Sequence, residues 1–101
     1  MAVKNTYMMY LHVNHLPYDD EIIVLGTGKD QFDLYYFVFV GERQAPENKQ
    51  IISVWKNLVE TELNVKQKME LKDALKNMKE NEYSYTIKHM TLHLKKIQSF
   101  D

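Results

Sequence analysis

The chain contains no cysteine. Disulfides, thiolate metal sites and thiol nucleophiles are excluded, a composition that fits a reducing compartment. Glycine and proline are scarce, with three and two among 101 residues. That scarcity is the composition of a globular and not of a disordered chain. Arginine occurs only once among thirteen cations. The planar guanidinium is the favoured tool for phosphate and base-edge recognition, and the net charge of -1 gives no general attraction to polyanions, so nucleic acid is an unfavoured partner. No apolar run reaches the roughly 18 residues of a membrane span. The opening "MAVKNTYMMYLHV" lacks the apolar core and small-residue cleavage site of a signal peptide. The expectation is a soluble, cytoplasmic protein with no membrane contact.

What is present is apolar and aromatic. Residues 1–101 are expected to form a single domain, because compact domains need about 100 to 150 residues, and the 45% hydrophobic content is that of a globular chain. Charge is unevenly spread. Up to Asn48 three cations face seven acids, whereas the remainder carries ten lysines against seven acids.

"VKNTYMMYLHV" over residues 3–13 is rich in β-prone side chains and predicts a strand. "NHLPYDD" reads as a connection, and "EIIVLG" as a second strand. "GTGKDQ" has the glycines of a hairpin loop, which makes "FDLYYFVFV", residues 32–40, a third strand. Pro46 suits the first turn of a helix. Ile51, Ile52, Val54, Trp55, Leu58, Val59 and Leu63 then share about half a helical circumference, with Asn64 as a stop. A second helix from about Lys66 to Asn81 carries Leu71, Ala74, Leu75 and Met78. Residues 83–98 fit a helix through Tyr83, Ile87, Met90, Leu94 and Ile97. Their tyrosine, threonine and isoleucine content favours a strand with Tyr83, Tyr85 and Ile87 on one face, and Met90, Leu92 and Leu94 on the other after a bulge near Lys88. The predicted fold is α+β, in the order β-β-β-α-α-β, with two helices on one face of a small antiparallel sheet.

Several motifs invite chemistry. "LHVNHLPYDDE" sets His12 and His15 three apart, ahead of Asp19 and Asp20. On a strand the two histidines point to opposite faces, so a two-histidine, one-carboxylate metal site requires a bend at Asn14–Pro17. His89 and His93, four apart, share a face in either a helix or a strand, but the glutamate that a helical zinc-protease motif needs after the first histidine is replaced by Met90. "GTGKD" lacks the spacing and the helix that a phosphate loop requires. Lys68, Lys72, Lys76 and Lys79 form a row on the second helix that suits an acidic partner.

The sheet carries the strongest functional signal. Tyr35, Phe37 and Phe39 oppose an apolar set in the third predicted strand, as Met8 and Tyr10 do in the first. A one-sided antiparallel sheet alternates apolar and polar residues, whereas here both faces want cover. These five residues are the expected interface of a homodimer. The expected function is that of a non-enzymatic, cofactor-free protein-interaction module of regulator or inhibitor type. Its Lys-, Asn-, Glu- and Tyr-rich usage resembles that of chains from AT-rich bacteria and their phages. The alternatives are a small metal-dependent hydrolase or nuclease using His12, His15 and a nearby carboxylate, and a nucleic-acid binder using the lysine row.

Overall fold

The computed structural model describes residues 3–14, 17, 19–40 and 46–100. Strand β1 (Val3–Val13) pairs with β2 (Glu21–Gly28); helices α1 (Gln31–Val40), α2 (Pro46–Glu62) and α3 (Val65–Lys76) follow, and then β3 (Glu82–Ile87) and β4 (Met90–Phe100). The four strands form one antiparallel sheet in the order β2-β1-β4-β3. The class is α+β, as expected, but among the described residues the element order is β-β-α-α-α-β-β, with three helices.

The difference lies in residues 32–40, which form a helix and not a third strand. Their aromatic and β-branched content mimics a strand, yet burial follows a helical stripe. Leu34, Val38 and Phe39 are buried and Tyr35 is half-buried, while Asp33, Tyr36 and Phe37 face out. Rings four residues apart pair along the helix, Phe32 with Tyr36 at 5.2 Å and Tyr35 with Phe39 at 4.7 Å between centroids. Helix entry is set by Asp30, whose Oδ1 accepts from the backbone N–H of Phe32 at 2.9 Å and of Asp33 at 3.0 Å. These bonds satisfy two of the amide groups that a helix start leaves without partners. "GTGKDQ" is thus the end of β2 and the cap of α1, and not a hairpin loop. Gly28 faces Leu34, where an added Cβ would stand 3.4 Å from Leu34 Cβ, an ordinary van der Waals contact. Asp30→Ala is expected to lower stability by about 1 kcal/mol and Asp30→Asn by much less, as read from urea unfolding midpoints.

The other helix boundaries follow the same capping logic. Pro46 opens α2, where its missing N–H costs nothing. Asn64 ends the predicted helix but belongs to the next one: it caps α3, accepting from Gln67 N–H while the Gln67 side chain accepts from Asn64 N–H. Helix α3 ends at Lys76, short of the predicted Asn81.

Residues 82–100 are strand, as the composition suggested, with a reversal in place of a bulge. Ile87 pairs with Met90 across a two-residue turn in which Lys88 takes a left-handed φ of 54°. The phase change near Lys88 is this turn. Folding back brings Tyr83, Tyr85 and Ile87 onto the same face as Leu94, Leu92 and Met90, their cross-strand partners.

That face is the covered one. Met9, Leu11 and Val13 of β1 lie opposite Leu94, Leu92 and Met90 of β4, and all six are buried. Helix α1 packs on β2 and β1, α2 packs near β3, and α3 packs on α1. Trp55 sits among them, fully buried, with its ring centroid 6.4 Å from that of Phe39. Burying each large apolar side chain contributes roughly 1.5–3 kcal/mol, so this cluster is the main source of stability. Among the described residues no helix is long and apolar enough to cross a membrane.

Candidate functional site: the open sheet face

Among the described residues no helix lies on the other face of the sheet. Alternation places Met8, Tyr10 and His12 of β1 there, with Ile22 and Val24 of β2 and His93, Lys95 and Ile97 of β4. Ile22 is 65%, Val24 55% and Ile97 43% exposed, against buried neighbours on the covered side. The bulge between Met9 and Tyr10 keeps this pattern in register, because Leu25 is the unpaired extra residue and turns inward.

Polar groups cross the centre of the face. The rings of Tyr10 and His93, direct cross-strand partners, stack with centroids 4.7 Å apart and planes 12° from parallel. His12 lies 6.2 Å from His93 and donates from Nε2 to Asp20 Oδ2 at 2.8 Å. Lys95 Nζ reaches Glu82 Oε1 at 3.6 Å, and the hydroxyls of Thr86 and Thr91 meet at 2.9 Å. Beside the stack is a shallow depression of about 320 Å³ lined by Tyr10, Ser84, His93, Lys95 and Glu82.

Burial under Tyr10 pushes the His93 pKa below the ordinary imidazole value; a charge on His12 acts the same way, and Glu82 opposes both. A histidine depressed in the folded state binds fewer protons than in the unfolded chain, so its contribution to stability is lost as pH falls through the unfolded value near about 6.5. Acidification from neutral into the mildly acidic range is therefore expected to lower the melting temperature, and His93→Gln to flatten that dependence. Paired thermal melts across the range check this.

The structure regroups the histidines. His12 meets His93 and Asp20, a combination of two motifs that looked separate in sequence. His89 does not share a face with His93 in β4, because it sits in the β3–β4 turn. Asp19 is exposed, and His15 lies outside the described residues. Among the described residues no three histidine or carboxylate side chains converge as a metal-binding group.

The chain matches no known family model, characterised protein or solved structure.

Of the five residues expected at an interface, Met8 and Tyr10 lie on the open face. Tyr35, Phe37 and Phe39 belong to α1, on the other side of the sheet: Phe39 is buried, Tyr35 is packed against it and Phe37 is exposed at the helix surface. Burial pushes the Tyr35 hydroxyl pKa up, with Trp55 opposing and Glu60 adding to the rise. Tyr83 is pushed up to about 12 by burial and by its neighbours Tyr85 and Tyr35. Ile22, Val24 and Ile97 were missed as surface apolar residues. "EIIVLG" nonetheless held the signal, since four consecutive apolar residues in a strand must place two on each face.

The lysine row is divided. Lys68 pairs with Glu60 at 3.0 Å, Lys72 is exposed, Lys76 places Nζ 5.9 Å from the centre of the Phe32 ring, and Lys79 follows the end of α3.

Proposed function

We propose that this chain is a non-enzymatic protein-interaction module whose open sheet face pairs with the same face of a second copy, the pair then acting on another macromolecule as a regulator or inhibitor. The observation that carries this reading is the exposure of Ile22, Val24 and Ile97 around the Tyr10–His93 stack, on a face that no helix of the described residues covers. Two central strands of eleven residues and two shorter edge strands span on the order of 500 Å². Two copies then bury about 1,000 Å² in all, the lower bound of a specific interface, which corresponds to a modest, concentration-dependent dimer. Two such sheets pack face to face with strands about 30° apart, and their tyrosine and aliphatic content is that of an interface centre.

Sedimentation velocity across the micromolar range tests this. The parent chain is expected to shift from monomer to dimer with concentration. Val24→Asp, a change on an exposed side chain, is expected to weaken pairing at least about tenfold with little change in melting temperature. A parent chain that stays monomeric throughout removes the reading.

A further inference from the structure

A second surface lies in the helical layer, away from the open face. Helices α1, α2 and α3 leave a cleft of about 210 Å³ between them, its walls formed by Tyr35, Phe39, Val59 and Leu71. Phe39 and Leu71 are buried, while Tyr35 and Val59 are half-buried, so the lining is aromatic and aliphatic. The rim is cationic. Lys56 of α2 and Lys68 and Lys72 of α3 surround the cleft, and among the described residues Glu60 is the one acid in its lining. Glu60 is engaged by Lys68 at 3.0 Å, so among the described residues Lys56 and Lys72 have no ion-pair partner there.

An apolar cavity with a few convergent polar groups is the usual form of a small-molecule site. We propose that this cleft binds a small apolar carboxylate, a short aliphatic or aromatic chain with one anionic end. The chain would lie on Phe39, Val59 and Leu71 and the carboxylate would sit between Lys56 and Lys72. The match is one of charge as well as shape, since a net positive rim selects an anion over a neutral chain of the same length. Lys56 and Lys72 come from different helices and are sixteen residues apart in sequence; they come together only as parts of the same cleft rim.

Octanoate is the probe, titrated into the 101-residue chain and followed by amide and methyl NMR shifts, with 1-octanol and acetate as controls. The expected result is saturable shifts confined to Tyr35, Phe39, Val59 and Leu71, with weaker binding of octanol and none of acetate. The Lys56→Gln/Lys72→Gln double variant, altered only at exposed side chains, is expected to bind octanoate about 5- to 10-fold more weakly while its octanol affinity is unchanged. The proposal is overturned if octanoate gives no saturable shifts at these residues, if octanol binds equally well, or if the double variant binds octanoate like the parent. Because the readout is residue by residue, shifts on Val24 and Ile22 instead report the sheet face and also count against the cleft.

Discussion

Trp55→Ala is expected to lower the unfolding free energy by about 3–5 kcal/mol, the range seen when a large aromatic ring is removed from a packed interior. Trp55 is fully buried and stands where α2 meets α1, beside Phe39. Domains of this size are stable by about 5–15 kcal/mol, so the loss leaves little or nothing in reserve. The indole is not ideally housed, because its Nε1–H is buried with no partner in hydrogen-bond geometry, although the Tyr35 hydroxyl is near enough to feel it. An unsatisfied buried donor costs roughly 1–3 kcal/mol. Trp55→Phe, which removes that donor and keeps a ring, is therefore expected to cost far less than Trp55→Ala, about 1 kcal/mol. Circular dichroism in urea is the appropriate measurement, since the chain's single tryptophan is the residue removed.

The second large effect concerns adjacent residues of one strand. Leu92 is fully buried between Leu11 of β1 and Tyr85 of β3, whereas Thr91 faces the other way, between His12 and Thr86. Leu92→Asp places an unpaired carboxylate in the middle of the covered face. Cavity formation alone costs about 2–5 kcal/mol, and the desolvated charge adds several more, so the variant is expected not to fold at neutral pH. Thr91→Asp loses one cross-strand hydroxyl contact and is expected to cost about 1 kcal/mol. A fivefold or smaller contrast between them in folded fraction would mean that the strand register is wrong. A slip by one residue would exchange the two faces.

Much of this architecture was legible in local patterns. The apolar stripe of α2 follows from side-chain periodicity, and the strand character of β1 and of residues 82–100 follows from their β-prone composition. Residues 31–40 were misread because Phe, Tyr and Val are strand formers by propensity, and an almost wholly apolar segment has no polar face to reveal its period. The deciding signal was the Asp30 cap three residues ahead of Asp33, a helix start read instead as a turn. The turn at Lys88 was hidden for a related reason: a non-glycine residue with positive φ leaves no mark in composition.

The candidate site was only half legible. That β1 has two apolar faces was readable, and Met8 and Tyr10 do lie on the open one. Which other residues join them depends on pairing between strands some 80 residues apart, as Tyr10 with His93, and local patterns do not encode that. The encounter of His12 with His93 and the lysine-rimmed cleft are consequences of the same long-range packing.

The proposed dimer seam is the open sheet face. Isotope-filtered NMR on a mixture of labelled and unlabelled chains tests it directly. The account predicts intermolecular contacts from the methyl groups of Ile22, Val24 and Ile97 to Tyr10 or Met8 of the partner copy, and none from Phe37 on the outer surface of α1. Intermolecular contacts that centre on Phe37, or their complete absence at concentrations where the open face should be occupied, would contradict it.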